Sequence, residues 1–294
     1  MDAADLRVFE AVARQGGMSR AAAELNTVQS NVTARIRHLE AELGVPLFER
    51  HARGVSLSEA GRRLLPYAGR VRQLLEEARQ AALDDGRPRG PLQLGCLETT
   101  AALRLAPALV RFARDNPEVD LALTTGTTRE LVEAVVDRRL EGAFVCGPLD
   151  EPALAQEVAF TEDLVVIAQP AAKPPLPRLL AQAGRFVVLR SGCSYRQRLE
   201  EVLAQQGLTR LRCLEFGTLE AIYAAVAAGL GVSLLPRALV EPLAGQGRLS
   251  LHELPAGGGR VETLLVRRRD RRPSSALLAF KALAAATPSW ATAA

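Results

Sequence analysis

The chain has 294 residues, of which 48% are apolar and 24% are charged, and its net charge is +4. This composition is ordinary for a globular protein, and the length suits about two domains. No apolar run approaches the roughly 18 residues of a membrane span, and the acidic start Met1-Asp2-Ala3-Ala4-Asp5 is not a secretory signal. The sequence therefore predicts a cytoplasmic protein that does not contact membranes.

Cysteine and histidine usage argues against metal and catalytic sites. The four cysteines, Cys96, Cys146, Cys193 and Cys213, lie far apart without a Cys-x-x-Cys pair, so neither a disulfide scaffold nor a standard zinc site is indicated. The sequence has no Gly-x-Ser-x-Gly, phosphate-loop or His-Glu-x-x-His motif, and its three histidines are scattered. We predict no cofactor, no metal and no enzymatic activity.

Three helices are predicted at the N-terminus. Residues 5–15 form the first and stop at Gly16-Gly17, Ser19 is predicted to cap the second, and Thr27 to cap the third. In the third helix an apolar stripe recurs at i, i+4, i+7 and i+11, comprising Val32, Ile36, Leu39 and Leu43. The stripe predicts that one narrow face of this helix is buried.

The opposite face of the third helix is polar and weakly basic. Ser30, Ala34 and Arg37 lie opposite the stripe, flanked by Asn31, Thr33 and His38. Such side chains suit a helix in the DNA major groove, where they meet base-edge donors and acceptors; the alternative is an ordinary solvated face. Nine arginines against five acidic residues between Arg20 and Arg72 would favour phosphate contacts. The predicted DNA-binding residues on this helix are Gln29, Ser30, Asn31, Thr33, Ala34, Arg35 and Arg37.

A β-hairpin and a long helix are predicted next. Two short apolar pieces around Arg53-Gly54 predict a hairpin wing, with Arg50 assigned to phosphate and Arg53 to the minor groove or phosphate. Ser58 is predicted to cap a helix that continues to Leu83. Its long apolar seam favours pairing with a second copy of the helix, and the alternative is packing on its own domain.

From residue 91 the sequence alternates between strand and helix patterns. Strands are predicted at 92–96, 119–124, 142–146, 164–168, 186–189, 211–216, 232–236 and 261–267, and helices at 101–114, 129–138, 195–205, 219–228 and 275–286. This alternation predicts α/β units with parallel strands in two half-domains, which cross over near Glu162-Asp163 and return near Arg260. The basic cluster at 267–272 is predicted to be a solvated loop.

A small-molecule site is predicted where the strand ends lead into helices. Loops at these ends are rich in threonine and serine, and helix N-termini favour a polar or anionic ligand. For each hydroxyl the alternative role is helix capping. For the loop cysteines we prefer the role of small, partly buried side chains in the core over that of a thiol sensor. The predicted effector-binding residues are Cys96, Thr99, Thr100, Thr125, Thr127, Cys146, Cys193, Ser194 and Thr218.

These motifs resemble those of LysR-type transcriptional regulators. The N-terminal likeness is carried by Ala21-Ala22-Ala23-Glu24-Leu25, Val28-Gln29-Ser30-Asn31-Val32-Thr33, Ile36, Leu39-Glu40, Leu43-Gly44 and Leu47-Phe48-Glu49-Arg50. The stretches Gly95-Cys96-Leu97-Glu98-Thr99-Thr100-Ala101-Ala102 and Gly229-Leu230-Gly231-Val232-Ser233-Leu234-Leu235-Pro236 resemble the effector-binding domain of the same family. The resemblance therefore extends over nearly the whole chain.

The resemblance implies a fold and a domain organisation. It implies an N-terminal winged helix-turn-helix at residues 1–58, a linker helix at 59–86, and an α/β domain at 91–294 with the two-lobed fold of periplasmic solute-binding proteins. Lobe I is expected at about 91–162 and 261–294, and lobe II at about 163–260.

The resemblance also implies a function. Its expected partners are double-stranded promoter DNA, a small-molecule effector that modulates DNA binding, RNA polymerase, and further copies of the chain in a homodimer or homotetramer. The alternative is a solute-binding protein without gene control, for which residues 91–294 would suffice.

Overall fold

The computed structural model describes residues 1–51, 54–170, 174–189, 194–205, 212–254 and 258–285. It divides the chain into two compact units, Met1–Leu83 and Asp84–Ala294. Among the helices within these described ranges, none combines the length and apolar character needed to cross a bilayer.

The N-terminal unit is a three-helix core with a hairpin and a long helix. Its elements are α1 (Ala3–Gln15), α2 (Met18–Glu24), α3 (Gln29–Leu43), β1 (Phe48–His51), β2 (Gly54–Leu57) and α4 (Glu59–Leu83). Phe9 and Val12 of α1 are fully buried against Val32, Ile36 and Leu39 of α3. The predicted winged helix-turn-helix is therefore confirmed, and the stripe is buried except at its last residue, Leu43.

Two of the predicted helix caps are wrong. α2 begins after Gly17 and α3 after Val28, and neither start has a side-chain cap. Because α2 begins one residue before Ser19, that side chain lies inside the helix, where its Oγ donates to Gln29 Oε1 at 2.9 Å. Thr27 precedes the α3 cap position, and its Oγ1 instead accepts from Asn31 Nδ2 at 3.0 Å.

Polar groups fix the wing between α3 and α4. Glu40 Oε1 on α3 accepts from the Leu47 amide at 2.7 Å, immediately before β1. Ser58 caps α4 as predicted: its Oγ accepts from Gly61 N at 3.0 Å and donates to Pro46 O at 2.7 Å. One hydroxyl therefore joins the start of the long helix to the chain entering the wing.

The C-terminal unit has two lobes. Lobe I contains β3 (Gly90–Cys96), α5 (Glu98–Thr100), a π-helical turn (Ala101–Leu105), α6 (Ala106–Asp115), β4 (Val119–Thr125), α7 (Thr128–Val136), β5 (Gly142–Cys146), the start of β6 (Leu154–Ala168), β11 (Arg260–Arg268) and α12 (Ser275–Ala285). Lobe II contains the end of β6, α8 (Leu176–Ala183), β7 (Arg185–Leu189), α9 (Ser194–Gln205), β8 (Arg212–Phe216), α10 (Leu219–Ala227), β9 (Ser233–Pro236), α11 (Arg237–Gly245) and β10 (Ser250–Glu253).

Parallel pairing occurs in both lobes, whereas the crossing strands β6 and β11 pair with their neighbours in antiparallel register. β3 pairs in parallel with β4 and β5, and β7 with β8, as predicted. The prediction is wrong for β6 and β11, which pair with each other, and β11 with β5, in antiparallel register. The second half of β6 pairs antiparallel with β9 and β10, so this single long strand carries the chain from lobe I into lobe II.

The basic cluster at 267–272 is a solvated loop only in part: Arg267 and Arg268 end β11 and are half-buried, whereas Arg269, Asp270 and Arg272 are exposed. Arg268 Nη1 donates to Val136 O at 2.7 Å, and Arg269 Nη2 donates to Leu154 O at 3.0 Å. Hydrogen bonds from Arg268, together with the charge of Arg138, lower the pKa of Asp270 to about 2. The arginines therefore join the end of β11 to α7 and β6.

Candidate functional site

The face of α3 opposite its buried stripe is exposed. Thr33 on its flank is half-buried, whereas the other predicted base-reading side chains are open to solvent, namely Gln29, Ser30, Asn31, Ala34 and Arg37. These side chains come from the first three turns of one helix, so a single groove of a duplex could receive them together.

Two amides on this face are oriented by hydrogen bonds within the unit. Ser19 Oγ donates to Gln29 Oε1, and Asn31 Nδ2 donates to Thr27 Oγ1. Each amide retains groups that could pair with the base edge of adenine or guanine. A side chain that is already held in one orientation loses less conformational entropy when it binds DNA.

Arg35 has an intramolecular partner. Its Nη1 lies 2.8 Å from Asp5 Oδ1, and the Asp5 side chain is only 6% exposed. The guanidinium therefore compensates a buried carboxylate of α1 and joins α3 to α1. The sequence pattern did not indicate this structural role, and the predicted DNA contact of Arg35 remains a prediction.

The wing arginines can be located only in part. Arg50 lies on β1 opposite Val55 of β2, but its side chain is outside the described part of the chain. Arg53 lies outside the described residues altogether. Their predicted phosphate and minor-groove contacts stay predictions.

α4 exposes several large apolar side chains. Tyr67 is 62% exposed, Leu74 51%, Leu75 52% and Leu83 55%. Tyr67 and Leu74 are seven residues apart, which is the spacing of a seam between two long helices. Leu64, Leu65 and Val71, in contrast, pack against the core of the unit.

A cleft between the two lobes lies at the ends of β3 and β4. Its space is about 510 Å³, including the open mouth, and the residues lining it are Leu97, Glu98, Thr99, Thr125, Gly126, Thr127, Leu189, Ser194 and Tyr195. Leu189, Ser194 and Tyr195 come from lobe II and the others from lobe I. We refer to this space as the inner cleft.

Hydroxyl groups bridge the lobes beside the inner cleft. Thr128 Oγ1 lies 2.8 Å from Ser194 Oγ, and Thr99 Oγ1 donates to Tyr195 Oη at 3.4 Å. The Cys146 amide also donates to Thr128 Oγ1, at 3.3 Å. These bonds cross the gap that a ligand would have to enter, so ligand binding and the lobe arrangement are physically linked.

A second, wider cleft adjoins the first and shares Ser194 and Tyr195 with it. Its space is about 1390 Å³, including open solvent. Arg129, Cys146, Arg198 and Glu201 are among the side chains that line it. This outer cleft is therefore more charged than the inner one.

The structure brings some of the predicted effector residues together and separates others. Thr99, Thr125, Thr127 and Ser194 line the inner cleft, and Cys146 lines the outer cleft. Three others lie outside both clefts: Cys96 and Thr100 are buried, and Thr218 is exposed and caps α10 by accepting from Ala221 N at 3.2 Å. Cys193 lies outside the described residues.

Glu98, Leu189 and Tyr195 are lining residues that the sequence prediction missed. Glu98 and Tyr195 lie directly beside predicted positions, and Leu189 ends β7, the strand that leads towards Ser194. The prediction selected threonine, serine and cysteine side chains, so a glutamate, a leucine and a tyrosine were not chosen.

Cys96 is expected to be unreactive in the folded protein. Burial raises the pKa of its thiol to about 12, and repulsion from Glu98 adds to this increase. At pH 8 only about one thiol in ten thousand would be a thiolate, the nucleophilic form. Iodoacetamide followed by peptide mass spectrometry should label Cys96 after denaturation but not before. Rapid labelling of native Cys96 would contradict its assignment as a buried filler.

Comparison with protein families gives two matches that together span nearly the whole chain. The model of the bacterial regulatory helix-turn-helix protein of the lysR family matches residues 3–62, and that of the LysR substrate binding domain matches residues 85–288. Similar curated proteins include the uncharacterized regulator YusT of Bacillus subtilis, 44% identical over 95% of this chain and 94% of the relative. The regulator GltR of the same species is 41% identical over 94% of this chain and 93% of the relative.

Solved structures share the fold. A full-length OxyR variant from Pseudomonas aeruginosa aligns with a TM-score of 0.71 at 22% identity, covering 99% of this chain and 96% of that one. Full-length CbnR in complex with its target DNA aligns with a TM-score of 0.66 at 24% identity, covering 97% and 98%. At these identities the likeness establishes the architecture of an N-terminal helix-turn-helix followed by a two-lobed domain.

Proposed function

Since the chain belongs to the LysR family of DNA-binding transcriptional regulators, we propose that α3 reads the bases of a promoter while the inner cleft receives the effector. The exposed polar face of α3 carries this proposal most directly. Gln29 and Asn31 would read base edges, Arg37 would contact bases or phosphate, and Arg50 and Arg53 would contact the backbone or minor groove.

Loss of the Gln29 amide is expected to weaken sequence preference more than general DNA affinity. A bidentate contact with one base contributes roughly 1–3 kcal/mol of discrimination, whereas binding to random duplex depends mainly on phosphates. Gln29→Ala should therefore reduce the affinity ratio between selected and random duplex by about 5- to 100-fold. Fluorescence anisotropy on both duplexes measures this ratio.

A matched control is Gln182→Ala. It removes the same amide from an exposed position on α8 in the C-terminal unit. This control should leave both affinities unchanged. Equal losses on selected and random duplex in Gln29→Ala would contradict base reading by this residue.

The exposed seam of α4 supports self-association through the linker helix. Pairing two copies would cover Tyr67, Leu74 and Leu75, which are otherwise open to water. It would also join two recognition helices to read an inverted repeat. We expect a homodimer, and a homotetramer of two such pairs, with RNA polymerase as a further partner at the promoter.

The effector role rests on the interlobe position of the inner cleft. A ligand that prefers one lobe arrangement shifts the protein toward it, and the same preference can alter DNA binding. We propose that the protein acts in the cytoplasm and catalyses no reaction. A solute-binding protein without gene control is the alternative, and an N-terminal unit with a DNA-reading helix weighs against it.

A further inference from the structure

The inner cleft contains a carboxylate without a described counter-charge. Glu98 is the one described lining residue that is charged at neutral pH. It forms no hydrogen bond or ion pair with any described residue, and its negative charge disfavours the thiolate form of Cys96. Arg129 and Arg198 line the outer cleft instead.

Most other polar side chains of the inner cleft already bond within the protein. Thr127 accepts from the Glu130 amide and donates to the Glu130 carboxylate in a capping box. Ser194 pairs with Thr128, and Thr99 donates to Tyr195. Among the described lining residues, Glu98 is therefore the charged group that has no bonding partner in the described part of the protein.

The apolar side chains that line the inner cleft restrict the chemistry of a ligand. Leu97 and Leu189 line the cleft together with Tyr195, so a bound molecule would displace water from beside Glu98. Removing water from a carboxylate that has no cationic partner among the described residues is unfavourable unless the ligand supplies a positive charge or strong donors. An apolar or purely anionic ligand would not offset the free energy lost when Glu98 is desolvated.

We propose that the effector carries a protonated amine that pairs with Glu98 and an apolar body that lies against Leu97, Leu189 and Tyr195. The proposal rests on the inner cleft as the effector site and adds the chemical class of its ligand. It replaces the expectation of an anionic effector for this part of the cleft. Glu98 then determines specificity by the charge of the ligand.

Sets of molecules that differ only in charged groups test the proposal on the full-length protein. The probes are phenethylamine, phenylalanine and 3-phenylpropanoate, together with 3-methylbutylamine, leucine and 4-methylpentanoate. Isothermal titration calorimetry should show that at least one amine-bearing member of a set binds more tightly than the matched carboxylic acid. Glu98→Gln keeps the side-chain shape but removes the charge, and it should weaken that binding by about 10- to 100-fold.

Glu133→Gln provides the matched control, because Glu133 is an exposed carboxylate on α7 outside both clefts. This variant should bind the probes like the parent protein. Tighter binding of the acids, unchanged binding in Glu98→Gln, or binding by no amine-bearing probe would each overturn the proposal. DNA selection by the same preparations is independent of these outcomes: sequence-selective DNA binding without amine binding would refute the ligand class alone.

Discussion

Glu162→Leu is expected to lower the free energy of unfolding by about 3–5 kcal/mol, because it leaves Arg104 buried without its carboxylate. The two side chains are 10% and 5% exposed, and they form a bidentate pair with Nε–Oε1 at 2.7 Å and Nη2–Oε2 at 3.1 Å. The Arg104 guanidinium also lies 5.6 Å from the centroid of the Phe160 ring. Urea denaturation of the full-length protein measures the loss.

The double variant Arg104→Met/Glu162→Leu distinguishes the stability contributed by the ion pair from the destabilisation caused by a buried charge without its partner. Replacing both ions by apolar groups should recover much of the stability lost in the single variant. Asp115→Ala is the surface comparison, since its pairs with Arg111 at 3.6 Å and Arg114 at 3.1 Å are open to solvent and contribute about 1 kcal/mol or less each. Equal effects of Glu162→Leu and Asp115→Ala would show that burial does not govern the interior pair.

The Arg104–Glu162 pair lies where the chain crosses between lobes. Arg104 belongs to the π-helical turn after α5, and Glu162 lies on β6 opposite Val261 of β11. Both crossing strands therefore pass beside one buried ion pair. The pair therefore joins the π-helical turn of lobe I to β6, the strand that continues into lobe II.

Gly61→Ala is expected to destabilise the N-terminal unit by about 1–3 kcal/mol. Alanine normally stabilises a helix interior by about 1 kcal/mol relative to glycine. At this position, however, a Cβ would lie 2.2 Å from Leu47 O and 2.9 Å from Leu57 Cδ2. The nearest atom belongs to the backbone, so the chain entering the wing would have to move, and DNA affinity should fall as well.

Gly69→Ala on the same helix is the matched control with the opposite expected sign. No atom lies within 4 Å of a Cβ built at Gly69, so only the helix preference of alanine remains. This variant should gain about 0.5–1 kcal/mol. Thermal and urea denaturation of both variants compare the two positions. Stabilisation by Gly61→Ala would contradict the close approach of α4 to Leu47.

Local patterns were sufficient to predict most helices and the buried strands. The third helix follows from its apolar stripe, and β5 follows from a continuous apolar run. The first half of β6 was missed because Gln156 and Glu157 are exposed and interrupt the apolar pattern. That segment is a strand because β11 pairs with it. β11 lies far away in the sequence, so the residues near the segment do not reveal this pairing.

The helix α11 was not predicted from the sequence, because two prolines lie at its start and inside it. Pro236 directly precedes this helix and Pro242 lies inside it, and both predict a break when considered in isolation. Val240 is fully buried in lobe II, so tertiary packing outweighs the local penalty. The family match rests on motifs at both ends of the chain and was unaffected by these errors.

The candidate site was predicted at the level of loops but not of individual contacts. The sequence places Thr99 and Ser194 at strand–helix junctions, and the fold brings both to one cleft. The pairing of Arg35 with Asp5 spans thirty positions of sequence, and that of Thr128 with Ser194 spans sixty-six. Such pairings depend on the assembled fold, so residue types and spacing cannot indicate which hydroxyls remain available to a ligand.

The most direct test of a DNA-reading, effector-responsive regulator is a footprint of the full-length protein on genomic fragments. We expect protection of an interrupted inverted repeat at a promoter, and competition by the same repeat but not by random duplex. A metabolite extract should change the extent or the length of that protection. Uniform binding to all fragments, unchanged by any extract, would contradict sequence-selective DNA binding under effector control.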